Sequence, residues 1–530
     1  MAQKQTAYDA IPYPSNPYRQ SRPERLSAIA RLFGLDTPLP ERCRVLELGC
    51  SMGGNLLVIA QDYPGSRCVG IDASSRQIAA GWKTIDALGL KNIQLKHLDI
   101  LDVREDLGQF DYIISHGVFS WVPAAVQKKM LEICKTHLTP NGVAYISYNT
   151  FPGWHIRGVV RDIMLYRGTQ FSDPAARLAQ AKSLVEFVAQ ASRGSDTPYQ
   201  RLLQSELEHI GKMEDYYLHH EHLEENNNPL YFHEFAEKLA VNGLQYLGDA
   251  DFSTMVSSNF SPEVAKTLNQ LGAHDIVQME QYMDFVRCRY FRKTLICHSG
   301  VQLNRTITPA VVHGLLLASD AAPAPSEAPL DPAQVVAFQT PAGYSISCRS
   351  PLTKLALRAL RDAWPMPIAF ADLLERSKAE AAAAGQASPD AIKAAEFLAG
   401  EMLTAMAAGV IEWRLTPVAF TTVVGERPAT SPLARLQAEQ GHKVTNLRGE
   451  LVTLDELHRQ TLKLLDGGRD HAHLIEGLMA SLRAGEMALQ RDSDKAIVSD
   501  EAEMRGLLGP ALGKVLENLA RRALLAARTS

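Results

Sequence analysis

The stretch VLELGCSMGGN, residues 45–55, decides the fold. Together with Arg44, its first five residues read RVLELG, and this mostly apolar run predicts a buried strand. Small residues and glycines follow, and a helical pattern opens near Gly54. Glycine in a turn between strand and helix lets a ligand approach the backbone, where amide N–H groups are exposed to bind it. The stretch therefore predicts a strand, a ligand-binding turn and a helix in succession.

The alternation of strand and helix patterns continues after residue 55. Four further strand patterns, separated by helical patterns, lie at 67–72, 93–99, 110–117 and 143–150. This alternation indicates an α/β fold with a parallel sheet. Residues 155–240 are mostly helical in pattern, and strand patterns return only at 244–251 and 291–298. We expect the helical segment to interrupt the sheet and the late strands to complete it. The alternative is an independent helical domain followed by an unrelated hairpin.

Composition shifts divide the chain into segments. Residues 319–332 are rich in Pro, Ala and acidic residues, which is typical of a linker. Beyond them, three helical patterns and a strand-like tail predict a winged-helix-like module. The predicted segments are a core with an N-terminal arm (1–154), a helical insertion (155–242), the end of the core or a regulatory segment (243–300), a linker (301–334), the winged-helix-like module (335–425) and an α-rich C-terminal module (441–530).

Composition also excludes several function classes. The 530 residues carry 54 Lys and Arg against 59 Asp and Glu, a net charge of −5, which argues against binding to nucleic acid by overall charge. The seven cysteines form no CxxC pair, so neither a disulfide framework nor a zinc module is predicted. The N-terminus lacks the apolar segment of a signal peptide, and no apolar run approaches the roughly 18 residues of a membrane span. We expect a cytoplasmic protein without membrane insertion.

Acidic residues end the first three predicted strands. Glu47 precedes Gly49, where an acid suits the cationic amino-acid end of a ligand better than a pyrophosphate. Asp72 could accept hydrogen bonds from a ribose diol. Asp99 could accept from an exocyclic adenine amine, with Ile100 supplying a backbone amide. Neither G-x-G-x-x-G nor GK[ST] occurs here, so a dinucleotide fingerprint and a P-loop are not predicted. Taken singly, such aspartates are often helix caps.

In this order and at these strand tips, the residues resemble the class I S-adenosylmethionine (SAM)-dependent methyltransferase fold, which is Rossmann-like. The resemblance implies SAM as the cofactor, with Glu47 and Gly49 near its methionine end, Asp72 on the ribose, and Asp99 with Ile100 at the adenine. Ser51 departs from the family, many of whose members carry glycine there. The cofactor-binding residues are therefore predicted to be Glu47, Gly49, Cys50, Gly53, Asn55, Asp72, Asp99 and Ile100.

Longer motifs narrow the family. These are the arm (8–35), SHGVFSWVP (115–123), SYNTFPGWH (147–155), YYLHHEHLEENNNPLYFHEF (216–235) and EQYMDFVRCRYFRKTLICH (280–298). They resemble a bacterial methyltransferase family that carries a methyltransferase regulatory domain. Its characterised members are protein-lysine methyltransferases that act on outer-membrane proteins. The resemblance covers roughly residues 8–300. It implies N-methylation of lysine in a protein substrate.

Aromatic residues at the same sheet edge predict the acceptor site. A lysine must lose its proton before it can attack a methyl group, and a desolvated aromatic channel favours that loss. Phe119, Trp121, Phe151 and Trp154 offer such a channel. We hypothesise that Trp121, Asn149 and Trp154 line the acceptor site and that His116 accepts a proton. The alternative is that both tryptophans are packing residues. The arm would form a lid through Tyr8, Tyr13 and Tyr18.

Other chemistries and functions remain as alternatives. His219 and His222 have helical ligand spacing, but HExxH is absent and no metal is predicted. The same core could methylate a small molecule or an RNA base, or the chain could be a SAM-sensing scaffold without turnover. SHGVF lacks the [DNS]PP[YFW] motif of DNA amino-methyltransferases. The candidate recognition helix at 389–408 carries one lysine against three acids, so DNA is not expected as a partner. The expected partners are a protein substrate and a second copy in a homodimer.

Overall fold

The computed structural model of the protein describes residues 14–273, 275–324, 331, 333–386, 391–491 and 496–527. Tyr8 and Tyr13 of the predicted lid lie outside these residues. The centre of the fold is a seven-stranded sheet. Its strands in chain order are β1 (Arg44–Leu48), β2 (Arg67–Asp72), β3 (Ile93–His97), β4 (Phe110–Ser115), β5 (Leu138–Asn149), β6 (Leu244–Asp249) and β7 (Phe291–His298).

The order of the strands confirms the predicted interrupted sheet. It is β3-β2-β1-β4-β5-β7-β6. The first five strands are parallel, and β7 is antiparallel to both β5 and β6. The helical insertion therefore separates β5 from the two strands that complete the sheet. Because β1 to β5 are parallel, their carboxyl ends meet at one edge, where ligands of such sheets bind.

Helices cover both faces of the sheet. They are α1 (Pro23–Leu32), α2 (Gly54–Asp62), α3 (Ser75–Leu88) and α4 (Ala124–His137). Alternate residues of β1 face opposite cores: Val45 packs with the core that includes α1, and Leu46 with the core that includes α4. Both side chains are fully buried. Burial on both faces explains why the parallel strands are nearly continuous apolar runs.

The insertion and the segment that follows it are helical. The helices are α5 (Gly153–Gly168), α6 (Pro174–Ala191), α7 (Pro198–Ile210), α8 (Asp215–His222) and α9 (Phe232–Val241), then α10 (Pro262–Leu271) and α11 (Ile276–Arg287) after β6. Asp173 and Thr197 cap α6 and α7 by accepting from the backbone amides of Ala176 and Gln200. The insertion has its own apolar core, which includes Val185 and Leu203.

Two modules follow the sheet. The first contains β8 (Leu316–Ala318), β9 (Ala322–Ala324), β10 (Val336–Gln339), β11 (Ser345–Cys348), α12 (Pro351–Ala363), β12 (Ile368–Ala369), α13 (Phe370–Ala383), α14 (Ala391–Ala407) and β13 (Glu412–Arg414). The second contains α15 (Pro432–Gln440), β14 (Lys443–Thr445), β15 (Leu451–Thr453), α16 (Glu456–Leu464), α17 (His471–Arg483) and α18 (Glu501–Arg521).

The prediction of a linker at 301–334 is wrong for β8 and β9. β8 lies between β12 and β13 in a three-stranded sheet, and β9 pairs with β10. β8 belongs to the apolar end of 311–318, whose burial favours a strand. β9 includes Pro323, and proline is tolerated there because β9 is an edge strand. The first module therefore begins before the residues predicted for it.

Candidate functional site

Glu47 lies near the carboxyl end of β1 and is 3% exposed. Its Oε1 accepts a hydrogen bond from Asn55 Nδ2 at 3.0 Å. Its Oε2 is buried and has no hydrogen-bond partner among the described residues. Burial raises the pKa of Glu47 to about 8. The hydrogen bond from Asn55 acts in the opposite direction and lowers this pKa, whereas the negative charge of Asp72 raises it further. A buried oxygen without a partner is costly, so this carboxyl group fits a cationic group of a ligand.

The turn after β1 uses left-handed backbone conformations. Gly49 has φ 73° and Ser51 has φ 53°, both in the left-handed region. A Cβ atom at Gly49 would lie 2.6 Å from Val118 Cγ2, so the position has no room for a side chain. Ser51 adopts this left-handed conformation although it is not glycine, the residue that many family members carry at this position. Its Oγ is buried without a partner in the described part of the chain and could bind a polar ligand group.

The expectation that the turn leaves its amides for a ligand is wrong at four positions. The N–H groups of Gly49 and Cys50 both donate to the carbonyl oxygen of Ile71, at 2.9 and 3.0 Å. The N–H of Gly53 donates to the carbonyl of Cys50, and that of Ser51 to Asp72. These bonds form because the turn folds back onto the end of β2. Side chains, rather than these amides, are left to bind a ligand.

Asp72 holds the turn to the tip of β2. Its Oδ2 accepts from the backbone N–H of Ser51 at 2.8 Å, and its Oδ1 accepts from that of Ser74 at 2.8 Å. β1 and β2 are in register, with Leu48 opposite Ile71. Glu47 and Asp72 therefore stand at neighbouring strand tips, as the sequence predicts.

Asp99 and Ile100 stand beyond the end of β3. Asp99 is exposed, and its Oδ1 accepts from the N–H of Leu101 at 2.9 Å, which caps a short 3-10 turn. Ile100 is half-buried against the core that includes α4. Trp82 of α3 reaches β3, where its Nε1 donates to the carbonyl of Leu95 at 3.0 Å. No motif marks Trp82, so it was not selected from the sequence.

The N-terminal arm lies across the turn. The N–H of Gly54 donates to Ser15 Oγ at 2.7 Å, and the N–H of Tyr18 donates to Asn55 Oδ1 at 2.9 Å. Asn55 is buried, and its Nδ2 also contacts Ser21 Oγ at 3.2 Å. Asn55 therefore joins the arm to Glu47. Sequence reasoning missed Ser15 and Ser21, since a lone serine in a proline-rich segment carries no signal.

Substituting Gly54 with alanine should displace the arm. A Cβ atom at this position would overlap the backbone oxygen and the Oγ of Ser15. We expect the Kd for SAM to rise about tenfold, because one or two hydrogen bonds of about 1 kcal/mol each would be lost. Calorimetry with the purified protein measures this. Gly158→Ala is the matched control, since a Cβ there meets nothing within 4 Å and should leave Kd unchanged. Equal Kd values for the two variants would contradict the placement of the arm.

His116 follows β4 and contacts both the arm and β5. Its Nδ1 lies 2.9 Å from Tyr145 Oη and 3.2 Å from Ser147 Oγ. The ring of Tyr18 lies over the imidazole, with centroids 3.8 Å apart. Burial, and next the charge of Lys293, lowers the pKa of His116 to about 3. The imidazole is therefore neutral at pH 7, and it can form hydrogen bonds but is a weak base.

The predicted acceptor residues come together at the ends of β4 and β5. The rings of Trp121 and Trp154 meet edge to face, with centroids 6.1 Å apart. Trp154 is 2% exposed, and its Nε1 has no partner among the residues that the structure describes. Asn149 is buried, and its Nδ2 donates to Asn227 Oδ1 at 2.9 Å. The insertion therefore contributes to this cluster through Asn227, which sequence reasoning did not select.

Phe119 does not belong to an aromatic channel. It is fully buried and packs edge to face on Phe235, with centroids 5.3 Å apart, within the core that includes α4. The prediction for this residue is wrong because the chain turns after β4 and directs Phe119 inward. Phe151 is half-buried and stacks on His155 at 4.0 Å, and His155 in turn contacts Tyr231.

The histidines of α8 are buried. His219, His220 and Glu224 place one potential ligand atom each within 4.8 Å of one another. This group differs from His219 and His222, whose spacing was noted in the sequence without predicting a metal. Burial, and next the charges of Arg161 and Arg157, lowers the pKa of His222 to about 3, so the surroundings are cationic. His220 Nδ1 lies 3.0 Å from Glu224 Oε1, an ordinary pair that needs no metal.

Within the described ranges, no helix is both long enough and apolar enough to cross a bilayer.

Three family models match the chain. "Methyltransferase domain" matches residues 46–144, and "Predicted methyltransferase regulatory domain" matches residues 214–298. "PKMT, C-terminal winged helix domain" matches residues 426–524. The winged-helix family therefore applies to the second C-terminal module, whereas the sequence pattern had placed it at 335–425. The pattern of three helices and a strand-like tail alone could not distinguish the two.

A relative and a solved structure match nearly the whole chain, and a second relative matches part of it. The uncharacterized protein RP789 of Rickettsia prowazekii is 35% identical over 533 residues, which are 98% of this chain and 93% of that protein. RP028 of the same organism is 43% identical over 232 residues, 44% of this chain. The solved structure of PKMT2 from Rickettsia typhi in complex with AdoHcy is 31% identical, with a TM-score of 0.87, and covers 97% of this chain and 100% of that one. AdoHcy is S-adenosylhomocysteine, which remains after SAM gives up its methyl group.

Proposed function

This chain belongs to the bacterial SAM-dependent methyltransferase family that carries a methyltransferase regulatory domain and includes rickettsial PKMT2, and from that premise we propose that it N-methylates lysine side chains of a protein. PKMT abbreviates protein-lysine methyltransferase. The observation that carries the proposal is the match to PKMT2 over 97% of this chain and the whole of that one, with a TM-score of 0.87. That match includes the insertion and both C-terminal modules, which lie outside the cofactor-binding core.

SAM is the cofactor, and when bound it supplies an electrophilic methyl group on a sulfonium. We place its amino group at Glu47, whose Oε2 is buried without a partner among the described residues. We place its ribose diol at Asp72, and its adenine near Asp99 and Ile100. Gly49, Cys50, Gly53 and Asn55 shape this pocket rather than offer free donors to it, because their described polar groups already have protein partners.

We place the acceptor lysine at Trp121, Asn149 and Trp154. Aromatic faces attract a cation, and burial then lowers the pKa of the lysine ammonium, which favours the neutral amine. The Nε1 of Trp154 and the side chain of Asn149 would orient the substrate. With a pKa of about 3, His116 would act here through hydrogen bonds and not as the main acceptor of the lysine proton. The displaced proton would leave to solvent.

Outer-membrane proteins are the proposed substrate class, by family resemblance. We place the encounter in the cytoplasm, before export, when the substrate chain is unfolded and its lysines are accessible. The insertion and the arm would border the path of such an extended chain.

The affinity for SAM should depend on pH through Glu47. Burial raises the pKa of Glu47 to about 8, so at pH 6 the carboxyl group is protonated and must release its proton to pair with an ammonium. The Kd for SAM should fall by up to tenfold per pH unit between about pH 6 and 8. Calorimetry at several pH values measures this, and Glu47→Gln should flatten the profile. A flat profile for the unaltered protein would contradict the role of Glu47.

The same group affects stability. The folded protein holds a proton on Glu47 that the unfolded chain releases above its ordinary pKa of 4.5. The contribution of Glu47 to the free energy of unfolding should therefore decrease as pH rises from about 4.5 towards 8. In Glu47→Gln that contribution is absent, so the difference in unfolding free energy between the two proteins should change with pH in this window.

The proposal is tested with methyl-labelled SAM and a lysate that is separated into protein, RNA and small-molecule fractions. We expect the label in protein, resistant to nuclease. Label confined to RNA or to the small-molecule filtrate would be consistent with methyltransferase activity but would overturn lysine as the acceptor. SAM binding without any transfer would favour a sensor without turnover.

A further inference from the structure

Four charged side chains join the arm to both C-terminal modules. Arg19 Nη1 lies 2.8 Å from Glu412 Oε1 and 3.0 Å from Glu450 Oε1. Arg448 Nη2 lies 2.9 Å from Glu412 Oε2, and its Nε lies 3.1 Å from Glu450 Oε2. Each arginine therefore contacts both glutamates. We call Arg19, Glu412, Arg448 and Glu450 the four-charge cluster.

The cluster joins three distant parts of the chain. Arg19 belongs to the arm, Glu412 begins β13 of the first module, and Arg448 and Glu450 lie in the turn between β14 and β15 of the second. About a third of the side chains of Arg19, Glu412 and Glu450 is exposed, but only 9% of that of Arg448. Arg448 also lies over the ring of Trp364, 4.3 Å from its centroid. An alternating network of partly buried charges is stronger than an isolated surface pair.

Electrostatics support the strength of the cluster. Burial alone would raise the pKa of Glu412, but the charges of Arg19 and Arg448 hold it well below its usual range. The pKa of Glu450 is lowered by the same two arginines against burial. Both glutamates are therefore ionised at neutral pH.

The arm reaches the cofactor site directly beside the cluster. Arg19–Ser21 form a single 3-10 turn, and the carbonyl oxygen of Tyr18 accepts from the N–H of Ser21 at 2.8 Å. Tyr18 donates its N–H to Asn55 Oδ1 at 2.9 Å, and Asn55 donates to Glu47 at 3.0 Å. Arg19 is therefore linked to Glu47, the carboxyl group that we place at the SAM amino group, through its neighbour Tyr18 and the two hydrogen bonds of Asn55.

Further contacts fix the modules against the same region. Trp413 Nε1 lies 3.5 Å from the carbonyl oxygen of Ala28 in α1. The N–H of Leu433, at the start of α15, donates to Gln61 Oε1 of α2 at 2.9 Å. Both modules therefore contact the helices that flank the arm and the glycine turn.

We propose that Arg19 is a positioning residue for SAM binding, and that the two C-terminal modules, acting through the four-charge cluster, hold the arm closed over the cofactor site. The inference rests on the proposed placement of SAM beside Glu47, and it does not depend on lysine as the acceptor. It gives the C-terminal modules a function in cofactor retention. Any event that separates them from Arg19 would open the site.

The test uses the full-length protein and calorimetric titration with SAM and with AdoHcy. Arg19→Met removes the cationic group and keeps much of the apolar stem. We expect its Kd for SAM to rise about tenfold, while the protein still unfolds cooperatively. Arg19→Lys should restore most of the affinity. Arg31→Met is the matched control, because Arg31 pairs only with Asp36 at the surface of the described structure. Its Kd should be that of the unaltered protein.

A double-mutant cycle separates positioning from a general loss of structure. Glu412→Gln combined with Glu450→Gln should raise Kd as Arg19→Met does, and the triple variant should bind no more weakly than Arg19→Met alone. Independent, additive losses would overturn the inference. A Kd within twofold of the unaltered protein for Arg19→Met would also overturn it. If Arg19→Met does not unfold cooperatively, Glu450→Gln alone provides the test, with the same expected direction.

Salt gives a second readout. Between roughly 0.1 and 1 M NaCl, screening should raise the Kd of the unaltered protein towards that of Arg19→Met, whose own Kd should change little. Parallel salt dependence in both proteins would contradict the role of the cluster. Because these are binding measurements, they stand even if the methyl acceptor is not lysine, and the labelled-lysate experiment tests that separately.

Discussion

Asp72→Ala is expected to weaken SAM binding about 100-fold. The change removes the acceptor for the N–H groups of Ser51 and Ser74, both at 2.8 Å, and the proposed acceptor for the ribose diol. Hydrogen bonds to a charged group contribute about 1.5–3 kcal/mol each, and about 3 kcal/mol corresponds to roughly 100-fold in Kd. Calorimetric titration of the purified variant measures the effect.

Two further variants make this prediction specific. Asp86→Ala is the matched control, because Asp86 is exposed and lies near the C-terminal end of α3, whereas Asp72 lies just before its N-terminal end. It should bind SAM as the unaltered protein does. Asp72→Asn keeps one acceptor oxygen, so its Kd for SAM should lie between those of Asp72→Ala and Asp86→Ala. If Asp72→Ala binds SAM within twofold of the control while it stays folded, the ribose is not at Asp72.

Arg292→Met is expected to destabilise the fold by about 3–5 kcal/mol, because it removes the nearest cationic partner of two buried carboxylates. Arg292 is fully buried in β7, with Nε 2.7 Å from Asp284 Oδ2 and Nη2 2.9 Å from Glu280 Oε2. Its guanidinium also lies 3.8 Å from the centroid of the Phe232 ring. The network joins the last strand of the sheet to α11 and α9, so its loss should loosen the segment that completes the sheet.

Urea unfolding measures this effect. Arg31→Met is again the control, since an exposed pair contributes about 0–1 kcal/mol. A difference between the two variants of less than about 1 kcal/mol would contradict the account of the network. Converting Asp284 and Glu280 to uncharged residues together with Arg292→Met should recover much of the lost stability, because no buried charge is then left alone.

The sheet could be predicted from the sequence because its strands are buried on both faces. Continuous apolar runs such as that before Gly49 are then hard to miss, and their alternation with helices determines the parallel topology. β8 and β9 escaped prediction for the opposite reason. Both strands are three residues long. β9 also lies in a segment whose proline and alanine are typical of a linker.

The candidate site was predictable only in part. Strand tips place Glu47, Asp72 and Asp99 at one edge, because parallel strands end together. What the local sequence cannot show is how the turn uses its own amides, since Gly49 and Cys50 donate to Ile71 across the sheet. Nor can it show that Arg19 meets a glutamate 393 residues away. Such contacts depend on the packing of whole modules.

The most direct test of the central claim is amino-acid analysis of a labelled substrate. The purified protein would be incubated with methyl-labelled SAM and an unfolded outer-membrane protein from the same cell, and the product hydrolysed completely. Our account predicts label that co-migrates with methylated lysine and disappears with Asp72→Ala. Label on any other amino acid, or no transfer to this substrate or any other protein by an enzyme that binds SAM, would contradict it.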